Sequence, residues 1–314
     1  MKSHVIALAA TLTLTSAPAL ACSSCGCNLT SDWLSQGLIA EPGTTIGIRY
    51  DYVPQTRLRT GTHDVGAVAL PTDREIERST YNHYATLSVD HALNPDWAVA
   101  VQLPFSYRPH RTIAEDTTDP STSRTGGLGD VRLTSRYQGF GGPGITGIQF
   151  GVKLPTGRTH QNFRDGPEAG EPVDRGLQPG TGTVDAIVGA YHFGRLAGNF
   201  DYVLQVQADI PLDSGSHFRP GIAGTASVGV QYTGWQAAIP QVQFNLRATG
   251  KDHGAEADRP NSGGEQLYVA PGLTFPLGGH LSAFGIAQLP LYNHVNGYQL
   301  VPRYTLSFGL HYKL

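Results

Sequence analysis

The sequence contains almost no sulfur. Met1 is the only methionine, and the three cysteines, Cys22, Cys25 and Cys27, fall within six residues, which leaves the last 287 residues without a sulfur atom. A disulfide framework needs cysteines distributed along the chain, so this arrangement excludes one. The fold must therefore form without disulfides, and any role of the thiols is local.

Long apolar runs and a strong net charge are missing as well. After residue 21 no stretch of 18 residues is apolar throughout, so the sequence predicts no transmembrane helix. Charged residues make up 15% of the chain and the net charge is −3, which argues against nucleic acid as a partner. The mature chain also has no long stripe of apolar residues at helical spacing.

The first 21 residues have the pattern of a secretory signal. Lys2 gives a basic start, an apolar run extends from Val5 to Leu14, and small residues end it at Ala19-Leu20-Ala21. Cleavage after Ala21 leaves Cys22 at the new N-terminus, where two outcomes are open: an ordinary free end or a lipid anchor on the cysteine. Both outcomes export the protein to a compartment where disulfides persist.

Apolar and polar residues alternate over most of the mature chain. In the C-terminal stretch RYTLSFGLHYKL, every second residue from Tyr304 to Leu314 is apolar or aromatic, and those between are small or polar. Successive side chains of a strand point to opposite faces, so this period predicts β-structure. We predict about 12 strands, near residues 44–53, 80–92, 97–108, 128–138, 145–155, 181–193, 199–212, 221–233, 235–248, 265–275, 281–292 and 298–314.

The connections between these strands alternate in length. Short turns fall at 94–96, 139–144, 194–198, 233–234 and 277–280, and longer polar loops at 54–79, 109–127, 156–180, 213–220, 249–264 and 293–297. This alternation is typical of outer-membrane barrels, whose tilted strands need ~9–11 residues to cross the bilayer. A soluble β-sandwich is the alternative, but it does not require such regular loop lengths.

The sequence therefore predicts an all-β fold, a transmembrane antiparallel β-barrel of about 12 strands in the outer membrane of a Gram-negative bacterium. Residues 1–21 are the predicted signal peptide, 22–43 a periplasmic cysteine-rich segment that plugs or anchors the barrel, and 44–314 the barrel itself. Its expected partners are outer-membrane lipids and the barrel-assembly machinery, which reads a final strand such as the one ending at Leu314. Aromatic residues near strand ends are candidates for interface girdles, namely Tyr50, Tyr52, Tyr81, Trp97, Tyr107, Tyr137, Tyr202, Tyr232, Trp235, Tyr292, Tyr304 and Tyr312.

Two short motifs are more specific. GGLGDVRLTSRYQGF covers residues 126–140 and FGVKLPTG covers residues 150–157. A GLGD that opens a strand, followed by a strand that ends in KLPTG, resembles the outer-membrane barrels described as transporter-like proteins of the MetA pathway of phenol degradation. The resemblance implies a barrel that passes small, often hydrophobic or aromatic compounds, and it implies no catalytic residues. From the residues alone the motifs have structural roles, because Gly127 and Gly129 allow a tight start to one strand and Pro155 ends another.

With the apolar face of each strand toward lipid, the charged side chains fall in the lumen, since a charge in the middle of the lipid face costs about 2–4 kcal/mol. Two interpretations are open: ion pairs that fill a narrow barrel, or a polar channel with a charged constriction. A barrel of about 12 strands leaves little free space, so we expect a narrow or plugged pore. The predicted lumen charges are Arg49, Asp51, Asp90, Asp130, Arg132, Arg136, Lys153, Asp185, Asp201, Asp209, Arg247, Arg303 and Lys313.

The segment CSSCGC is the candidate metal site. Only Ser and Gly separate Cys22, Cys25 and Cys27, so their thiolates can converge on a soft ion such as Cu(I), or on Zn(II) if a fourth ligand arrives. No CxxCH haem motif and no second CxxC is present in the sequence. The alternatives are a lipid anchor, a local disulfide between two of the cysteines, or no defined role.

Histidines give a weaker indication of metal binding. Each of the six predicted long loops contains one, and a ring of imidazoles at the mouth could collect a metal ion, although histidine is common in polar loops. An enzyme is not expected, because His83 and Ser88, in the one cluster of hydrolase type, fall on opposite faces of a strand. The loop histidines are His63, His110, His160, His217, His253 and His294.

Three functions fit these observations. The first is a transporter-like channel for a small solute, with hydrophobic or aromatic compounds as the class that the resemblance implies. The alternative is a metal-handling barrel, or one that docks a periplasmic redox partner through the cysteine segment. The third is a structural or adhesion barrel that uses its loops.

Overall fold

The structure is a computed structural model, and it describes residues 43–314. The predicted signal peptide and the cysteine-rich segment with Cys22, Cys25 and Cys27 lie outside the described residues. Within 43–314 no helix is long and apolar enough to cross a membrane. Almost all regular structure in this part of the chain is β-strand, with one short 3₁₀ turn at Arg175–Leu177.

The strands form one antiparallel sheet. They are β1 (Gly43–Gly61), β2 (His63–Asp64), β3 (Ile76–Ala92), β4 (Trp97–Ile113), β5 (Pro120–Leu128), β6 (Val131–Tyr137), β7 (Ile145–Leu154), β8 (Asp185–Ala197), β9 (Phe200–Pro211), β10 (Ala223–Tyr232), β11 (Ile239–Thr249), β12 (Gly264–Gly278), β13 (Leu281–Pro302) and β14 (Thr305–Lys313).

Twelve strands make up the wall, as the sequence predicted. β5 and β6 lie end to end along β4 and count as one wall strand, and β2 only extends the edge of β1. β13 turns back at Asn296-Gly297, so that its last residues descend beside β1 and lead into β14. β1 pairs with β14 and with the end of β13, and this pairing closes the barrel.

The registers are staggered around the wall. Partner residues traced from Thr45 through each neighbouring strand lead back to β1 at Gly61, sixteen residues further along. A stagger of this size in a barrel of twelve strands corresponds to a strand tilt of about 40°. The tilt fits strands of this length to the thickness of a bilayer.

The outer face of the wall is an apolar belt. On β4 it is formed by every second residue from Trp97 to Tyr107, and the same parity is exposed and apolar on the neighbouring strands. Aromatic rings lie at both edges of the belt. Trp97 and Tyr137 are 4.9 Å apart between ring centroids near the short turns, and Tyr52 and Tyr107 flank His83 near the opposite edge. Aromatic rings are favoured at the two membrane interfaces, so the belt between them is the membrane-spanning part.

Three of the predicted loops are wrong in extent, and one of them, 293–297, lies within β13. β1 and β3 extend well into the predicted loop 54–79, and β4 and β5 occupy most of the predicted loop 109–127. These extensions rise above the belt, where no lipid requires an apolar face, and the alternation that reveals a strand is therefore lost. Their paired backbone makes a high wall on one side of the mouth.

The belt makes a depth-dependent prediction. Val101→Arg places a charge at mid-belt and should destabilise the folded barrel by about 2–4 kcal/mol, whereas Leu93→Arg, in a turn at the edge, should cost about 0–1 kcal/mol. Urea unfolding in lipid vesicles, followed by heat-modifiable gel migration, measures both. Equal costs at the two positions would contradict the assignment of the belt.

Candidate functional site

The inner face carries most of the predicted lumen charges, and ten of the thirteen take part in ion pairs. Arg247 is buried on β11, and Lys313 lies at the end of β14. Arg303 does not share this face. It is exposed in the link between β13 and β14, because the alternation of faces is interrupted where the two segments join.

One inner ion pair reaches over small residues. Arg136 on β6 pairs with Asp90 on β3, and the strand between them presents Ala98 and Ala100 at the matching positions. Neither alanine fills the space above the wall, so the guanidinium can cross a whole strand. Pairs of this kind connect non-adjacent strands, and the carboxylate satisfies an arginine that would otherwise be buried without a partner.

One cluster, here called the latch, consists of Asp130, Lys153, Thr181 and Asp185. Lys153 Nζ lies 2.6 Å from Asp185 Oδ2 and 3.7 Å from Asp130 Oδ2, and donates to Thr181 Oγ1 at 2.6 Å. Asp130 also accepts bonds from the amide and the hydroxyl of Thr181, each at 2.8 Å. One ammonium therefore holds two carboxylates together with a residue of the long β7–β8 loop.

The latch brings the two sequence motifs together. The GLGD motif supplies Asp130 and the KLPTG motif supplies Lys153 and Gly157, whose amide donates to Asp130 Oδ1 at 3.0 Å. Gly157 must lack a side chain, because a Cβ there would come within 2.6 Å of the Gly180 Cα. The two motifs thus form the two sides of one joint, a contact that lies where β5 ends and β6 begins. Thr181, the third side of the joint, was not predicted as a site residue, because the sequence placed it at the start of the strand predicted at 181–193, whereas the structure places it in the β7–β8 loop.

The mouth loop, residues 155–184, folds inward over the wall extension. Arg108 on β4 donates to Gly176 O and Thr125 on β5 donates to Leu177 O, both at 2.7 Å. Leu177, Val173 and Phe163 form a small apolar core beneath the loop. The loop therefore packs against the inner side of β4 and β5 and covers part of the outer opening.

The mouth loop also contacts the neighbouring β9–β10 loop. The Arg175 guanidinium donates to the carbonyls of Thr181 and Gly215 at 2.9 and 3.3 Å, and lies 5.2 Å from the centre of the Phe218 ring. Gly215 and Phe218 belong to the β9–β10 loop. Arg175 therefore connects the mouth loop to the β9–β10 loop.

Several carboxylates lie near Asp174, the residue before Arg175. Partial burial raises the pKa of the Asp174 carboxyl, and the negative charges of Glu75 and Glu77 raise it further, followed by that of Asp258. These side chains come from the mouth loop, from the start of β3 and from the β11–β12 loop. The protonated form of Asp174 is favoured while the mouth loop is folded in.

The inner face also has an apolar patch, formed by Ala270 on β12 and by Phe284 and Ile286 on β13. Phe284 stacks on His311 of β14, with ring centroids 5.3 Å apart and planes at 16°. A Cβ at Gly309 would lie 2.4 Å from the Phe284 ring, so the glycine makes room for it. The inner face thus carries buried apolar side chains as well as the charged pairs.

The predicted ring of loop histidines is only partly found. His110 lies on β4, buried, with Nδ1 2.8 Å from Thr80 Oγ1, and His294 lies on β13. Both were assigned to loops because the wall extensions were not recognised as strands. Within residues 43–314, no group of three or more His, Cys, Asp or Glu side chains is arranged to hold a metal ion.

Comparisons with known proteins show the fold. No family model matches the chain, and no curated protein matches it. Among solved structures the chain is similar to an outer membrane channel from Pseudomonas putida F1, with a TM-score of 0.62, 14% identity, and coverage of 88% of this chain and 97% of that one. The resemblance to the phenol-pathway barrels therefore stays a prediction.

Two further structures are similar at lower scores. The transport unit of the autotransporter AIDA-I from Escherichia coli has a TM-score of 0.50 and 11% identity, covering 94% of this chain and 95% of that one. The Ralstonia pickettii toluene transporter TbuX has a TM-score of 0.47 and 10% identity, covering 87% and 90%.

The latch predicts how the mouth loop opens. Lys153→Met leaves two buried carboxylates facing each other without a cation, and breaking such a pair typically costs about 3–5 kcal/mol. Trypsin cleavage after Arg164, which requires local opening, should accelerate by about a hundredfold. Val152→Met, on the outer face of the same strand, is the matched control and should leave cleavage unchanged. An unaltered cleavage rate in Lys153→Met would contradict the role of the latch.

The raised pKa of Asp174 predicts that the mouth loop is held closed more firmly in acid. The pKa of Asp174 is raised when the loop is folded in and is ordinary, about 3.9, when the loop is out. The folded-in state therefore becomes more stable as the pH falls through the raised pKa, and its stability rises no further below about pH 4. Hydrogen exchange of the loop amides, corrected for intrinsic rates, should therefore slow on acidification. Asp174→Asn should be protected at neutral pH and show little further change. A pH profile in Asp174→Asn like that of the unaltered protein would refute this assignment.

Proposed function

We propose that the protein is an outer-membrane channel that passes small solutes, with apolar and aromatic compounds among them. The observation that carries the proposal is the inverted arrangement of the barrel, with an apolar belt outside and charged and polar side chains inside. A polar inner face is what a water-filled passage through a membrane barrel requires.

The class of solute rests on the resemblance of the GLGD and KLPTG motifs. On the inner face, Phe284, Ile286 and Ala270 pack together and are buried, and ion pairs keep much of the rest of that face polar. The mouth loop then sets access from outside, because it covers part of the opening and is held by the latch and by Arg175. Similarity in fold to an outer membrane channel agrees with this proposal.

Conductance in planar lipid bilayers tests the proposal. The purified, heat-modifiable protein should produce stepwise currents in potassium chloride, and the variant with serine at Cys22, Cys25 and Cys27 should produce the same steps. Absence of current from correctly folded protein would contradict a channel.

The cysteine segment has a separate proposed role in binding Cu(I) or Zn(II). Stoichiometric metal in the reduced protein that is lost in the serine variant would support this role. Metal-free reduced protein would rule that role out.

A further inference from the structure

One inner ion pair differs from the others because both of its side chains are accessible to solvent. The side chains of Arg132 and Asp209 are 24% and 25% exposed, whereas those of Lys153 and Asp185 are 9% and 6% exposed and those of Arg49 and Asp51 are 11% and 3% exposed. Shielded pairs hold strands together but offer nothing to a solute. The Arg132 pair is open to the lumen.

The exposed pair runs from the middle of the belt at β6 to the end of β9, where Asp209 is two residues before the last residue of the strand. Arg132 on β6 is the partner of Gln102 on β4, which is halfway between Trp97 and Tyr107, the residues at the two edges of the belt. Its side chain reaches over β7 and β8 to Asp209 on β9. Any solute that crosses the barrel must pass this depth.

The geometry leaves part of the guanidinium unused. Arg132 donates to both oxygens of Asp209 from Nη2 alone, at 2.9 Å each, and within the described residues its Nη1 and Nε have no hydrogen-bond partner. Gln207 donates to the same carboxylate at 3.0 Å and fixes it in place. Asp209 therefore orients the guanidinium while two of its nitrogens still point to open space.

We infer that Arg132 binds and selects the solute, and that the solutes passed best are small molecules with a carboxylate on an apolar or aromatic body. The unused Nε and Nη1 lie on different edges of the guanidinium, so each can donate one N–H to a carboxylate oxygen, and the flat face of the group stacks on aromatic rings. Asp209 limits the affinity, since its charge partly repels the anion, and a channel needs such weak binding to release what it binds. This inference rests on the proposed channel function and names its solute class.

Equilibrium binding of radiolabelled benzoate to the detergent-purified protein tests the inference without any need for conduction. Binding should be saturable, and benzyl alcohol, which has the ring without the carboxylate, should compete at least about tenfold less well. In Arg132→Gln the dissociation constant should rise by about tenfold or more, and in Arg132→Lys by less, because lysine keeps the charge but loses the flat face that stacks on the ring. Arg195→Gln, which makes the same change in charge at an exposed arginine beside the Gly198 turn, is the matched control and should change it less than about twofold.

The same variants in planar bilayers separate this inference from the proposed function. Benzoate should reduce the potassium chloride current of the unaltered protein, and Arg132→Gln should abolish that reduction while the current itself remains. Equal binding of benzoate and benzyl alcohol, or undiminished benzoate binding in both Arg132 variants, would overturn the inference and leave the channel intact. Absence of any current from the folded protein would overturn the channel itself.

Discussion

The constraint on which this structure depends is that every backbone amide and carbonyl inside a bilayer needs a hydrogen-bond partner. An open sheet leaves two unpaired edges, and each unsatisfied group in lipid costs several kcal/mol, so the sheet must close. β1 satisfies the last edge by pairing with β14 along its lower part and with the end of β13 along its upper part. Closure fixes the register of every strand, and the register in turn decides which side chains face lipid and which face the lumen.

The interior follows from that division. Charges excluded from the lipid face are concentrated inside, where they must find partners across a concave wall, and small residues such as Ala98 and Ala100 let long side chains reach over a strand. The wall is interrupted at one point, between β5 and β6, and there the side chains of the latch replace the missing ladder and hold the mouth loop inside. The same joint explains why two distant sequence motifs occur together, because each supplies one side of it. The way in which the sheet closes thus determines the access to the lumen, the polarity of the lumen and the position of the exposed Arg132 pair.

Much of the fold could be predicted, and the site only in part. Alternation revealed the wall strands within the belt, because lipid on one side and a polar lumen on the other force a period of two. It failed for the extensions such as Arg108 to Ile113, where both faces meet polar surroundings and no alternation is needed. The lumen charges were recognisable as a set, yet their pairing was not, since Arg132 and Asp209 are 77 residues apart in sequence and lie on strands that do not touch. Contacts of the mouth loop were equally invisible, because polar loops carry no periodic signal.

Closure itself can be measured directly. In a chain with serine at Cys22, Cys25 and Cys27, cysteines are placed at Ile48 and Leu310, which face each other across the seam of β1 and β14. The folded protein should form this disulfide readily in membranes, and a pair at Ile48 and Leu306, which are out of register, should not. Efficient cross-linking of the registered pair alone is the result that this account predicts. Failure of the registered pair to cross-link in folded protein, or equal cross-linking of both pairs, would contradict the closed barrel on which the rest of the account is built.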